Sequence, residues 1–199
     1  MQLLIATRNR HKFAEIIAIL GRHGIEFRCA ADMPDLPEVE ENGATFDANA
    51  RLKAVALALA SNMMTLADDS GLEVDALDGA PGVISARFAG LPSNDQANNA
   101  KLLRMMNGEN DRRARFRCVI ALATPGGDCR TVEGRCEGSL LQQPRGTAGF
   151  GYDPLFVPDG YSQTFAELDA ATKNRISHRA QALAHARDEW REIVYHDNR

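Results

Sequence analysis

Ala67-Asp68-Asp69-Ser70-Gly71 is the segment around which the chain is organised, because it places two carboxylates and a hydroxyl between two apolar runs. The preceding run, residues 63–66, predicts a strand, and Gly71 predicts a sharp turn that leaves room for a ligand. Paired carboxylates suit a hydrated magnesium ion, which favours one or two of them together with substrate phosphates. Asp, Ser and Gly are also ordinary turn residues, so a plain turn is the alternative interpretation.

Strand-like and helix-like patterns alternate on both sides of that segment. Residues 2–6 predict a buried strand, and apolar positions at helical spacing then predict a first helix that ends near Gly21. A second strand is predicted over residues 25–30, and further helices are predicted to begin near Phe46 and Asn94.

The later half of the chain predicts a hairpin, because Pro125-Gly126-Gly127-Asp128 separates the strand-like residues 115–124 from residues 129–138. Thr164 and Glu167 have the spacing of a capping box, which predicts a short helix that begins at Thr164. The early alternation of strands and helices and the late hairpin together predict an α/β fold with a mixed sheet.

Composition limits the classes of function. The chain has 199 residues, which favours one domain over residues 1–199, and its formal net charge of -4 argues against a broad nucleic-acid surface. No apolar run reaches the ~18 residues of a membrane span, and the first residues lack a basic leader, so a cytoplasmic protein is expected. The cysteines have neither metal-site spacing nor nearby histidines, which predicts free thiols.

The polar loop Thr7-Arg8-Asn9-Arg10-His11-Lys12 follows the first strand and opens the first helix. N-H groups at a helix start have no intrahelical partners, so cations and a hydroxyl at such a place predict a phosphate site. The loop is not a Walker A loop, because the chain lacks the G-x-x-x-x-G-K-[ST] pattern. A solvated basic helix start is the simpler alternative.

Acidic residues precede the second helix, on which Asn49 and Lys53 are four residues apart and share a face. Glu38, Glu40 and Glu41 are those acidic residues. Glu41, Asn49 and Lys53 are therefore candidates for one site. Taken singly, each has a simpler explanation as part of a charged, solvated helix face.

A glycine-rich segment over residues 146–154 surrounds two aromatic residues, Phe150 and Tyr152, and contains Asp153. Glycines allow the backbone to approach a flat ligand closely, while an aromatic ring stacks on it and the carboxylate accepts hydrogen bonds. A packed turn is the alternative interpretation.

A cationic segment lies at the start of the last helix. Ser177 is a candidate N-cap, so His178 and Arg179 are expected at the first helical positions, preceded by the polar residues 173–175. Cations at a helix start suit a phosphate or a polarised carbonyl, and a solvated helix end is the alternative.

Five motifs, in this order, resemble those of the inosine/xanthosine triphosphate pyrophosphatases, enzymes that hydrolyse non-standard purine nucleoside triphosphates. The resemblance extends from residue 2 to about residue 187. The motifs are Ala6-Thr7-x-Asn9-x-x-Lys12, Glu41-x-Gly43-x-Thr45-Phe46-x-x-Asn49-Ala50-x-x-Lys53-Ala54, Ala67-Asp68-Asp69-Ser70-Gly71-Leu72, Gly149-Phe150-Gly151-Tyr152-Asp153-Pro154 and Ser177-His178-Arg179.

The resemblance implies an elongated mixed β-sheet flanked by helices, with two lobes and a central substrate cleft. It also implies a magnesium-dependent homodimer that hydrolyses ITP, dITP or XTP to the nucleoside monophosphate and pyrophosphate. Such an enzyme removes these nucleotides from the pool before they enter DNA or RNA. No nucleic-acid or membrane partner is expected.

The same resemblance implies roles residue by residue. Asp69 is implied as the general base and a magnesium ligand, and Glu41 and Glu40 are the other candidate metal ligands. Positions 8, 10 and 11 vary in the family's pattern, so their side chains are expected to add only local charge. The full substrate-binding set is Thr7, Arg8, Asn9, Arg10, His11, Lys12, Lys53, Ser70, Phe150, Gly151, Tyr152, Asp153, Lys173, His178 and Arg179.

Two other functions are compatible with the same residues. One is a regulatory module that binds a nucleoside triphosphate without hydrolysing it, although a plain anion site has little reason to place Asp68 and Asp69 near phosphates unless a metal is present. The other is a hydrolase that acts on a different nucleotide or phosphate ester. Release of product distinguishes an enzyme from a binding module.

Overall fold

The computed structural model describes residues 2–21 and 24–190, and these residues form a six-stranded mixed sheet with flanking helices. The strands are β1 (Gln2–Ile5), β2 (Glu26–Cys29), β3 (Thr65–Val74), β4 (Arg113–Ala123), β5 (Cys129–Leu140) and β6 (Phe156–Pro158). The helices are α1 (Arg10–Leu20), α2 (Phe46–Ser61), α3 (Asp95–Met105), α4 (Ala170–Ile176) and α5 (His178–Glu189), with short 3-10 helices at Ala30–Asp32, Asp75–Leu77 and Gly82–Arg87.

The sheet order is β2-β1-β3-β4-β5-β6. Strand β1 lies parallel to both β2 and β3, with Leu4 opposite Arg28 on one side and Thr65 on the other, whereas β5 and β6 are antiparallel. Leu3, Leu4 and Ile5 are completely buried, as expected of a parallel strand that is covered on both faces. The predicted α/β fold with a mixed sheet is confirmed.

Strand β3 shows that the prediction of a turn at Asp68 and Asp69 was wrong. The strand runs without interruption from Thr65 to Val74, and Gly71 lies within it. The first five residues of the strand are all buried. A buried backbone needs the hydrogen bonds of a sheet ladder, and this requirement favours a continuous strand over a turn. The two carboxylates therefore lie on a rigid element.

The predicted helix at Thr164 was also wrong, because the structure has a turn there and α4 begins only at Ala170. The Thr164 N-H donates to Glu167 Oε2 at 2.8 Å, as in a capping box. However, the carbonyl of Ala166 accepts a hydrogen bond from the Ala148 N-H at 3.2 Å. In a helix that carbonyl would accept from the residue four positions later, so the contact with another segment holds the turn.

The chain divides into two compact units. Unit 1 comprises the described residues of 1–69, 118–134 and 179–199, and unit 2 comprises residues 70–117 and 135–178. Unit 1 has a core that includes Ile16, Ile120 and Trp190, and unit 2 has a core that includes Phe116 and Phe156. The single domain and the cleft between two lobes stay predictions. No helix of the described residues is both long and apolar enough to cross a bilayer.

Candidate functional site

The polar loop in unit 1 is shaped by its own side chains. Asn9 is the N-cap of α1, and its side-chain oxygen accepts hydrogen bonds from the His11 and Lys12 N-H groups at 2.9 and 3.2 Å. The Asn9 N-H donates to Thr7 Oγ1 at 3.1 Å. These bonds set the start of α1, from which the Lys12 ammonium extends to within 3.0 Å of Asp68 Oδ2.

Asp68 is fully buried and is surrounded by cations from other elements of unit 1. Besides the pair with Lys12, its Oδ2 accepts a hydrogen bond from Arg179 Nη2 at 3.0 Å, and its backbone carbonyl accepts one from Lys53 Nζ at 2.6 Å. Burial acts to raise the pKa of Asp68, but the neighbouring cations outweigh it and hold that pKa well below its ordinary value. Asp68 is therefore ionised and anchors the cations.

Asp69 has a different environment, although it is the next residue of the same strand. It is 4% exposed, Lys53 Nζ lies 3.5 Å from its Oδ1, and its Oδ2 accepts no hydrogen bond from any residue that the structure describes. Burial raises the pKa of Asp69 to about 6 against the opposing effect of Lys53, and the nearby carboxylate of Glu41 adds to the rise. Asp69 thus carries a carboxylate whose charge is incompletely compensated.

Glu41 reaches the same ammonium as Asp69. Lys53 Nζ donates to Glu41 Oε1 at 2.9 Å, so a single cation is shared by two carboxylates. The segment before α2 that contains Glu41 is held to this helix, because Asn49 Oδ1 accepts a hydrogen bond from the Gly43 N-H at 2.8 Å. A Cβ at position 43 would lie only 2.7 Å from that oxygen. Glu40 is exposed. We refer to Asp68, Asp69, Glu41, Lys12, Lys53 and Arg179 as the carboxylate cluster.

The remaining predicted residues near α1 and β3 make other contacts. Arg10 forms an exposed ion pair with Asp32, and Arg8 Nη2 donates to the Leu36 carbonyl at 3.2 Å. His11 is exposed. Ser70 follows Asp69 in β3 and is partly buried. The binding roles of these residues stay predictions.

Glu15 is a member of the site that the sequence analysis missed. It forms an ion pair with Arg179, whose side chain is 1% exposed and contacts Asp68 with its other nitrogen. Glu15 and Arg179 are 164 positions apart, so no local pattern connects them. The available signal was that Glu15 follows Lys12 by three positions, which places both on one face of α1.

In unit 2, residues 149–153 form a loop, here called the glycine loop, that closes on the side chain of Asp153. Asp153 Oδ2 accepts from the Phe150 N-H at 2.9 Å and pairs with Lys173 Nζ at 2.6 Å. Gly149 has a φ of +75°, and a Cβ there would lie 2.0 Å from the same oxygen. Lys173 Nζ also lies 5.0 Å from the centre of the Phe150 ring. Asp153 and Lys173 are both buried.

The two aromatic residues of the glycine loop are not equivalent. Tyr152 is buried and its hydroxyl donates to the Ser85 carbonyl at 2.9 Å, which ties it to the core of unit 2. Burial raises the pKa of Tyr152 well above its ordinary value, so the phenol remains a donor. Phe150 is only partly buried. His178, at the end of the same unit, stacks on Phe116 with ring centres 4.7 Å apart.

Asp69, Glu41 and Glu40 are the residues that the resemblance implies as magnesium ligands. Among residues 2–21 and 24–190, no group of three or more His, Cys, Asp or Glu side chains is arranged to hold a metal ion. Asp69 and Glu41 nevertheless share one ammonium, and a buried oxygen of Asp69 accepts no hydrogen bond from the described residues. Two carboxylates completed by substrate phosphates and water are a donor set that magnesium accepts, so the residues fit this ion.

Comparison with known proteins places this chain among close relatives. It is 52% identical over 198 residues to a protein of Desulforamulus reducens named dITP/XTP pyrophosphatase, with 98% of each chain covered. It is 52% identical to one of the same name from Exiguobacterium sp., over 92% of this chain and 93% of the relative.

This chain is also similar to solved structures. A HAM1 protein from Coxiella burnetii has a TM-score of 0.88 at 38% identity, over 97% of this chain and 100% of that one. A structure titled nucleoside-triphosphatase / dITP/XTP pyrophosphatase from Mycobacterium abscessus has a TM-score of 0.75 at 44% identity, over 94% of this chain and 97% of that one. The sequence profile of the Ham1 family matches residues 3–189, and the chain therefore belongs to the Ham1 family.

Proposed function

We propose that this protein hydrolyses ITP, dITP and XTP to the nucleoside monophosphate and pyrophosphate, and so removes them before incorporation into nucleic acid. The observation that carries the proposal is the carboxylate cluster, in which Asp69 has a raised pKa and a buried oxygen that accepts no hydrogen bond from the described residues. The names of relatives that are 52% identical support the substrate class.

Magnesium is the proposed cofactor, with Asp69 and Glu41 as its protein ligands. Glu40 is the weaker of the two neighbouring candidates, because it is exposed while Glu41 contacts Lys53. When bound with substrate, the ion supplies charge neutralisation at the phosphates and lowers the pKa of water.

Asp69 is the proposed general base. Its Oδ2 would accept the proton of a water that attacks the α-phosphorus, and the bond between the α-phosphorus and the bridging oxygen then breaks to release pyrophosphate. In the metal-free protein burial raises the pKa of the Asp69 carboxyl to about 6, so above that pH the carboxylate is ionised and can accept a proton. Lys12 and Lys53 would stabilise the negative charge that develops on the departing pyrophosphate.

Residues of unit 2 are proposed to recognise the nucleoside. The partly buried ring of Phe150 would stack on the purine, and His178, together with the Tyr152 N-H, would donate to the 6-oxo acceptor. The 6-amino group of adenine is a donor and would leave those groups unsatisfied. Rejection of ATP by ~10⁴ is physically attainable in this way. Arg179 is a weaker candidate for this role because Asp68 and Glu15 already engage its guanidinium.

A homodimer in the cytoplasm is proposed from the family resemblance. Light scattering coupled to gel filtration would measure the mass in solution, and a mass of one chain would contradict the dimer.

The experiment that tests the proposed function measures pyrophosphate and orthophosphate released from ITP, dITP, XTP, GTP and ATP, with and without magnesium. Pyrophosphate from the first three alone, lost in EDTA, is the expected result. Orthophosphate would show cleavage at the terminal phosphate. A rise in melting temperature with ITP and magnesium but no product would instead identify a binding module.

A further inference from the structure

Helix α3 holds both backbone groups of a single glycine in the glycine loop. The Gly151 N-H donates to Asp95 Oδ2 at 2.7 Å, and its carbonyl accepts from Asn99 Nδ2 at 2.8 Å. Asp95 and Asn99 are four positions apart and therefore share one face of α3. Two side chains of one helix thus fix the peptide planes on both sides of Gly151.

Gly151 needs such support because of its conformation and its neighbours. Its φ is +62°, in the left-handed region. Glycine populates positive and negative φ about equally, so steric effects alone do not hold this conformation. Tyr152, on its C-terminal side, is anchored by the hydrogen bond to the Ser85 carbonyl. Phe150, on its N-terminal side, donates its backbone N-H to Asp153, and its ring lies 5.0 Å from Lys173 Nζ, so the turn at Gly151 connects the segment that carries this ring to the anchored Tyr152.

We propose that Asp95 and Asn99 are positioning residues for the nucleobase: they hold Gly151 so that the Phe150 ring is presented to the purine. The inference rests on the proposed function, because Phe150 is the residue proposed to stack on the base. Neither residue lies in the motifs that identify the family, and neither would touch the substrate.

The competing explanation for Asp95 is stabilisation of α3. Asp95 lies in the first turn, where a negative charge interacts favourably with the helix dipole, directly after the N-cap Asn94. The two roles need different properties of the side chain. The dipole role needs the charge, whereas the positioning role needs an oxygen that accepts from Gly151. Asp95→Asn keeps an acceptor oxygen and removes the charge, so it separates them.

Steady-state hydrolysis of ITP by the full-length protein tests the inference. Loss of one such hydrogen bond in Asp95→Ala or Asn99→Ala is expected to raise KM about three- to tenfold while kcat changes less than about twofold. Asp95→Asn is expected to restore KM to within about twofold of wild type. Gln96→Ala, an exposed change in the same helical turn, is the matched control and is expected to behave as wild type.

A double-mutant cycle with Phe150→Ala shows whether the effect passes through the aromatic ring. If Asp95 and Asn99 act by positioning Phe150, their alanine variants raise KM no further in the Phe150→Ala background. Asn99→Ala lies outside the first turn and preserves the test if Asp95→Ala folds poorly.

Three results would overturn the inference: a KM effect that persists in the Phe150→Ala background, an Asp95→Asn variant as impaired as Asp95→Ala, or alanine variants identical to wild type. Each assumes an active wild type. A wild-type protein that releases no pyrophosphate from ITP would overturn the proposed function itself and the inference with it.

Discussion

The carboxylate cluster of unit 1 and the glycine loop of unit 2 both bury ionised side chains, but they balance charge differently. In the cluster, Lys53 is shared between Glu41 and Asp69, and one oxygen of Asp69 accepts no hydrogen bond from the described residues. In the loop, Asp153 Oδ2 and Lys173 Nζ form a pair at 2.6 Å. The cluster leaves capacity for a further cation, whereas in the loop the Asp153 carboxylate already contacts an ammonium and a backbone N-H.

This difference indicates a chemical role for the carboxylate cluster and a structural role for the glycine loop. A buried carboxylate without full compensation is costly to the fold and useful to chemistry, because it can accept a proton or a metal ion. A matched buried pair instead fixes geometry, and here it fixes the backbone of Phe150 through Asp153. The comparison predicts that removing the ammonium of Lys173 from the loop destabilises the fold, whereas removing the charge of Asp69 from the cluster stabilises it.

The largest expected effect is on turnover. Replacing Asp69 by Asn removes the proposed base while keeping the shape of the side chain, so kcat for ITP is expected to fall by ~10² to 10⁴. Asp128→Asn, which changes an exposed carboxylate of unit 1, is the control and is expected to stay within about twofold. Pyrophosphate release measures both, and a similar kcat in the two variants would contradict the assignment of the base.

The second prediction concerns the pair in the loop. Lys173→Met leaves the buried Asp153 carboxylate without its cation, and the free energy of unfolding is expected to fall by about 3–5 kcal/mol. The double variant Asp153→Asn/Lys173→Met removes both charges and is expected to lose much less than the sum of the single losses. Urea unfolding of the three variants gives the values, and additive losses would show that the pair is not matched.

In the carboxylate cluster, removing a charge is expected to raise the free energy of unfolding instead of lowering it. The pKa of Asp69 is raised, so the folded protein binds this proton more tightly than the unfolded chain, and the ionised carboxylate opposes folding above about pH 6. In EDTA at pH 8, Asp69→Asn is therefore expected to raise the free energy of unfolding by about 1–3 kcal/mol.

Below about pH 3 the carboxylate is protonated in both states, because the ordinary pKa of Asp is about 3.9, and the difference between wild type and Asp69→Asn is expected to vanish. Thermal unfolding of both proteins at the two pH values measures this difference in stability. A variant that is less stable than wild type at pH 8 would show that Asp69 is fully compensated within the cluster.

The smallest expected effect is on the magnesium requirement, and it distinguishes Glu41 from Glu40. Glu41→Gln removes a charge beside Asp69, and the magnesium concentration for half-maximal activity is expected to rise about tenfold. Glu40→Gln, at the exposed position, is expected to change it by less than about twofold. A magnesium titration of ITP hydrolysis by both variants tests this difference. A larger rise in Glu40→Gln than in Glu41→Gln would assign the metal to Glu40.

Local features of the sequence were sufficient for much of the fold. The continuous apolar run of residues 2–6 predicted β1, because a strand that is buried on both faces has no polar alternation. The turn wrongly predicted at Asp68 and Asp69 had a different origin. Two adjacent carboxylates can lie in a buried strand only because Lys12 and Arg179 contact Asp68 from α1 and α5 and Lys53 contacts Asp69 from α2. Local propensity carries no information on such distant partners.

The same limit applies to the site. Lys53 and Asp153 could be proposed because each belongs to a motif with close neighbours in sequence. Glu15, Asp95 and Asn99 could not, since their partners lie 164, 56 and 52 positions away, respectively. Residues that position others through long-range contacts have no pattern of their own in one sequence, and only the folded chain shows them.

The most direct test of the account is hydrolysis of ITP in ¹⁸O-labelled water with magnesium, followed by mass spectrometry of the products. If water activated by Asp69 attacks the α-phosphorus, one ¹⁸O enters the inosine monophosphate and none enters pyrophosphate. Label in the pyrophosphate would place the attack at the β-phosphorus and would contradict the proposed roles of Asp69, Lys12 and Lys53.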